Sequence, residues 1–227
     1  MIRLRVFALI IAFSGALAAQ EGAVRGNINV VHRSKRESGS SDVVVWLTPS
    51  GPGATVSPGP AVRLVQRNKQ FVPHVLAVPV GTQVEFPNED PFFHDVFSIY
   101  RGKPFDLGLY EKGTVRKIRF SQPGVSYIFC NIHPEMSAAV VALTTPYFAV
   151  TEQDGTFQVK HLPAGSYKLE IWYEHSSESE LAAASHDIDI TAGDNQIPAI
   201  TLHSSPNPHD HLNKYGEPYP LDKPAKY

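Results

Sequence analysis

No internal disulfide is open to this chain: Cys130 is its one cysteine, and Met136 is its one methionine besides the initiator. A cysteine without a partner in its own chain serves something other than an internal cross-link. Charge of either sign is also in short supply. The chain has 20 Lys and Arg against 22 Asp and Glu, a balance that provides no footprint for nucleic acid and no basic patch for a membrane surface. After the N-terminus no apolar run approaches the ~20 residues that a membrane helix needs. Helical periodicity is scarce throughout. With 227 residues the chain still has room for one or two domains with real cores.

The stretch "MIRLRVFALIIAFSGALAA", residues 1–19, carries Arg3 and Arg5, an apolar segment from Val6 to Phe13 and small residues ending in Ala-Leu-Ala. That is the form of a secretory signal peptide cut after Ala18 or Ala19, and it predicts a periplasmic or secreted protein without a transmembrane segment once the signal is removed. Loss of the two arginines lowers the basic count from 20 to 18 against 22 acids, a net charge near −4. The cut region has no cysteine to carry a lipid.

Short alternating or β-branched runs fill the remainder. "GNINVV" at 26–31, "DVVVWLT" at 42–48, "VLAVPV" at 75–80, "TQVEF" at 82–86, "HDVFSI" at 94–99 and "VRKIRF" at 115–120 read as strands. So do "VSYIF" at 125–129, "AAVVAL" at 138–143, "YFAVT" at 147–151, "TFQVK" at 156–160, "YKLEIW" at 167–172, "HDIDI" at 186–190 and "AITL" at 199–202. Turn residues such as Gly81, Pro123-Gly124 and Asp154-Gly155 separate them, which is the spacing of an all-β sandwich. "GKPFDLGLYEKG" at 102–113 reads as one long irregular connection, and "SGPGATVSPGP" at 50–60 as a loop. Residues 203–227, with five prolines and no apolar periodicity, read as a disordered, loosely held tail.

Both scarce sulfur residues fall in "FCNIHPEM", residues 129–136, on either side of His133. A thiolate, an imidazole and a thioether on one loop favour a soft or borderline metal, and copper is the one that best tolerates methionine as a distant ligand. His94, at the head of "HDVFSI", can reach this loop from a neighbouring strand end. His94, Cys130 and His133 in a plane with a long bond to Met136 is the blue-copper electron-transfer arrangement. Other centres are short of ligands: structural zinc prefers more than one cysteine, a binuclear copper centre needs a second, and an oxidase needs many His-x-His pairs. The one such pair, His209-Asp210-His211, lies in the tail and reads as solvated surface.

Here the chain resembles the cupredoxin family, particularly its amicyanin and plastocyanin-like members. The resemblance runs from about Val65 to Leu143, through "NKQFVPHVLAVPVGTQVEFPNEDPFFHDV" and "QPGVSYIFCNIHPEM". It implies a Greek-key β-sandwich over 62–145, one type 1 copper ion held by His94, Cys130, His133 and Met136, and a non-enzymatic role carrying single electrons. The partners it implies are redox proteins: a dehydrogenase, a cytochrome c or a membrane complex. The family usually has Asn after the first histidine, where this chain has Asp95; we expect Asp95 to accept a hydrogen bond from Asn131 and to favour the cupric state. His133 is expected near the surface as the electron port, within an apolar docking collar of Pro91, Phe92, Phe93 and Pro134. A copper-handling module without an electron-carrier role is the alternative. His74 reads as structural, and His161, Glu174, His175 and His186 as surface or structural.

"DGTFQVKHLPAGSYKLEIW", residues 154–172, resembles the latter half of carboxypeptidase regulatory-like and transthyretin-like modules, and "VRGNINV" with "DVVVWLTP" resembles the first half. The resemblance implies a second small β-sandwich from 22–50 and 146–202, with the copper domain inserted between its halves. No nucleophile–base pair marks either part as an enzyme.

Overall fold

The computed structural model describes residues 21–32, 39–51, 55–99, 102–205 and 211–219. The signal peptide expected over 1–19 lies outside them. Among the described residues the chain opens with β1 (Glu21–Val31) and β2 (Val44–Pro49). It continues through β3 (Val62–Arg63), β4 (Val65–Arg67), β5 (Gln70–Val72), β6 (Val75–Pro79), β7 (Gln83–Pro87), β8 (His94–Ser98), β9 (Phe105–Tyr110), β10 (Val115–Arg119), β11 (Gly124–Cys130) and β12 (His133–Leu143). It ends with β13 (Phe148–Val150), β14 (Thr156–Pro163), β15 (Gly165–Trp172), the helix α1 (Glu178–Ala184), β16 (His186–Ile190), β17 (Gly193–Gln196) and β18 (Ile200–His203). The fold is all-β.

Pairing sorts these strands into two sets. β1 lies between β14 and the parallel strands β17 and β18, while β2 lies between β13 and β15, with β16 beyond. Both strands that precede residue 50 therefore pair only with strands that follow residue 147. The alternation in β1 explains its placement: Val24 and Ile28 point inward onto Leu47, Leu162, Leu169 and Leu202, and the intervening side chains face outward. The other set contributes two facing sheets, β10-β7-β3 and β6-β12-β11-β8-β9, closed over Val84, Phe86, Val96, Phe120, Ile128 and Val140.

β12 joins the two sets because both of its faces are apolar. Ala138, Val140 and Ala142 face the sandwich to which β12 belongs, and Ala139, Val141 and Leu143 pack with Val44, Val75 and Trp172. The run "AAVVAL" lacks an outward polar position for that reason: a strand covered on both sides has no face to solvate. His74 ties the same junction. Its Nδ1–H donates to the Ser137 carbonyl at 3.1 Å and its Nε2–H to Glu174 Oε2 at 2.6 Å, so both ring nitrogens face acceptors. The Glu174 carboxylate outweighs burial and holds the His74 pKa above its ordinary value. His161, His175 and His186 sit on the periphery: His161 meets Glu21 at 2.7 Å, His175 lies edge-on to Tyr173, and His186 reaches the Ala184 carbonyl.

Two expectations about local structure need correction, and one helix is added to them. Residues 105–110, within the segment read as irregular, form β9 at the sheet edge, paired with β8. Its pattern is weak because an edge strand has little to cover: Leu109 is exposed, and Gly108 takes a positive φ of 66°. α1 has no run of apolar periodicity, but Ser177 caps it by accepting from the Glu180 amide. The tail is not loose where it is described. Residues 203–205 complete and leave β18, and residues 211–219 lie against the loop between β11 and β12. Single side chains anchor this segment, so it leaves no periodic signal.

Candidate metal centre

β11 ends on Cys130 and β12 begins on His133, joined through Asn131 and Ile132, so the tight turn sets the two residues opposite each other. The neighbouring strand β8 pairs Val96 with Cys130 and begins with His94. These elements bring both imidazoles to one sulfur. Cys130 Sγ lies 3.6 Å from His94 Nδ1 and 3.5 Å from His133 Nδ1, and the ring centroids are 4.9 Å apart. One ligand atom from each of the three residues falls within 4.8 Å of the others. His94 and Cys130 are fully buried, and His133 is only 4 % exposed. Met136, three residues beyond His133, is buried in the same core cluster as Cys130.

Burial lowers the pKa of both histidines; for His133, with His94 adding to the effect, it falls to about 4. Burial raises the Cys130 thiol, against neighbouring backbone N–H groups that favour the thiolate. The pocket thus holds two neutral imidazoles and a thiol, and binding a cation there releases the thiol proton. Two borderline nitrogens and a soft sulfur form a donor set suited to copper.

A pH dependence follows. The unfolded chain protonates its histidines near 6.5, whereas folded His133 stays neutral down to about 4. The metal-free protein is therefore at full stability above about pH 6.5 on this account and loses on the order of 2–3 kcal/mol as pH falls toward about 4. His74 acts in the opposite sense: its raised pKa stabilises the fold below 6.5, and that contribution fades as pH rises through the folded value. Thermal melts of the metal-free protein from about pH 7 to about pH 4 should show the loss, and His133→Asn should flatten it. An unflattened profile in the variant would remove His133 as the cause.

The shell behind the ligands was only half legible. His94 Nε2–H donates to Asp90 Oδ2 at 3.0 Å, which leaves Nδ1 free to accept or to ligate. The same carboxylate accepts from the amides of Asn68 at 2.6 Å and Lys69 at 3.0 Å, two residues with positive φ in the turn between β4 and β5. Asp90 carries no sequence signal beyond its place in the Asn-x-Asp stretch, residues 88–90, just before the histidine. Asn131 Nδ2 donates to Asp95 Oδ2 at 3.0 Å, and the Asn131 amide donates to the Asp95 carbonyl at 2.8 Å. Asp95 is not an isolated charge, however. Lys214 Nζ, from the tail, lies 2.9 Å from Asp95 and 3.0 Å from Asp106. Burial works against the Lys214 cation, and the two carboxylates more than offset it.

Pro91, Phe93 and Pro134 are exposed, and Phe93 is one of the larger exposed apolar side chains. Phe92 is partly buried, its ring about 5.5 Å from those of His94 and His133 and inclined 60° to both. That ring helps to account for a correction: His133, expected near the surface, is enclosed.

The two facing sheets carry the His-Cys-His cluster at the β8, β11 and β12 ends, a β-sandwich with a buried donor set suited to copper. Solved structures aligned with it include the purple cupredoxin of Nitrosopumilus maritimus, at 24 % identity over 36 % of this chain and 99 % of that one, with a TM-score of 0.34. A reduced Cu(I) mutant of amicyanin aligns at 21 % identity over 38 % of this chain and 92 % of its own, with a TM-score of 0.35. The Cu-containing nitrite reductase of Thermus scotoductus SA-01 aligns at 28 % identity over 50 % of this chain and 28 % of its own, also at 0.35. At these scores the alignments assign no family, and the site is described by its own geometry. No protein-family model and no curated protein matches the sequence.

Proposed function

We propose that this chain is a type 1 copper protein that carries single electrons between redox partners outside the cytoplasm. One observation supports this reading above the others: His94, Cys130 and His133 place their ligand atoms within 4.8 Å, fully or nearly fully buried, where three strand ends converge. A bound copper ion supplies a one-electron couple and, through the thiolate, intense visible absorption. The protein's part is to hold the donors still. Asp90 fixes the His94 tautomer, and the Asn131–Asp95 pair fixes the loop that carries Cys130 and His133. Donors set on paired strand ends and tied by these hydrogen bonds would keep the ligand geometry alike in both oxidation states and reorganisation small.

Pro91, Phe93 and Pro134 offer an exposed apolar patch, the chemistry of a brief docking surface for a redox protein such as a cytochrome or a dehydrogenase. The signal-like residues 1–19 support export. The copper-handling alternative fits less well, because handing on an ion calls for exposed ligands and none of the three is exposed.

Titrating the metal-free protein with cupric salt tests the reading. The expected result is one equivalent bound, intense colour, and reversible bleaching by a reductant with fast recovery. Binding without colour, or binding with transfer of Cu(I) to an acceptor protein, would favour the handling role. No binding would overturn both.

A further inference from the structure

We infer that residues 211–219 are an intramolecular strap on the ligand loop, and that His211, Lys214 and Tyr219 are positioning residues of the metal site. The contacts of this short segment converge on the six residues Phe129–Pro134, which include two of the ligands. The His211 ring stacks on Phe129 with centroids 4.0 Å apart and planes inclined 24°, and its Nε2–H donates to the Pro134 carbonyl at 2.7 Å. The Lys214 amide donates to Asn131 Oδ1 at 3.1 Å, and the Tyr219 hydroxyl donates to the carbonyl of Cys130 itself at 3.1 Å. Tyr219 also meets the His211 ring edge-on, with centroids 5.2 Å apart, so the two ends of the strap brace each other.

These contacts have two consequences. Mechanically, the strap occupies the carbonyls of Cys130 and Pro134 and stacks on Phe129, so the loop can open only after the strap leaves. Electrostatically, Lys214 Nζ sits between Asp95 and Asp106 with its side chain only 15 % exposed. A bare Asp95 beside His94 would favour the more positively charged state of a metal, and the Lys214 cation cancels much of that field. The tail thereby raises the potential of the site. This second consequence rests on the copper reading; the first does not.

Variants of the full-length chain separate the two. In the metal-free protein, hydrogen exchange at the amides of residues 129–133, including the Asn131 amide that donates to Asp95, should quicken by about threefold to tenfold in Tyr219→Phe and in His211→Ala, as expected when a single anchoring contact is lost. In the copper-loaded protein, Lys214→Gln should lower the reduction potential relative to the wild type. Unchanged exchange in both variants overturns the strap. An unchanged or raised potential in Lys214→Gln overturns the charge role. A wild type that stays colourless with cupric salt removes the copper reading, and the exchange measurement still decides the strap.

Discussion

Cys130→Ala should leave a folded, colourless protein. The substitution takes away the one sulfur that faces both His94 Nδ1 and His133 Nδ1, and with it the ligand that gives a type 1 site its colour. Copper affinity should fall beyond the roughly 10–100-fold typical of losing an outer partner, because a direct ligand is gone. The fold should scarcely notice. Cys130 is fully buried, yet removing a single sulfur atom at the end of β11 costs only about 1 kcal/mol of packing. Absorption after copper loading, set beside the thermal melt of the metal-free protein, separates the two effects. A coloured variant would move the site elsewhere in the chain. Met136→Leu makes a useful companion: it keeps the buried volume and the other three donors, so a site that changes colour or potential while the melt holds identifies the thioether as a ligand.

Asp90→Ala should damage fold and site together. Its buried carboxylate accepts from the Asn68 and Lys69 amides and from His94 Nε2–H. Two of these donors belong to residues whose positive φ is tolerated only while something holds the turn. Only the His94 ring is a buried donor, for which a lost acceptor costs about 1–3 kcal/mol, while water can reach the amides of the exposed Asn68 and Lys69, so a loss of about 2–3 kcal/mol is expected. Copper affinity should drop about 10–100-fold as the His94 ring loses its fixed tautomer. Denaturant unfolding of the metal-free variant and a competitive copper titration measure the two losses. Asp90→Asn, which retains an acceptor oxygen, should fall between wild type and Ala. If both variants unfold with the wild type, the carboxylate is not what holds the turn.

Much of the chain's order was legible because it is local. Alternation in "GNINVV" and the covered runs "HDVFS" and "AAVVAL" follow from burial on one or both faces of a strand, and that is written residue by residue. The clustering of Cys130, His133 and Met136 was legible because they share a loop. Weak or absent signals correspond to weak local causes. β9 is an edge strand with an exposed Leu109, and α1 is a short helix identified by its Ser177 cap more than by its pattern. The tail's anchors are one stack and a few side-chain hydrogen bonds, and composition does not encode such contacts.

The amino-acid order by itself determined that this is an all-β protein with a soft-metal loop, since strand periodicity and ligand chemistry depend only on neighbours in the chain. The tertiary structure decided the distances between His94 and Cys130, the choice of Asp90 as the partner of His94, the enclosure of His133, and the pairing of Lys214 with Asp95. Most of those depend on segments brought together from distant parts of the sequence, and even the local Asp90–His94 pair is held by amides from the β4–β5 turn. Residues 36 positions apart meet only when β8 and β11 pair, and residues 119 apart only when the tail segment lies back on that sheet.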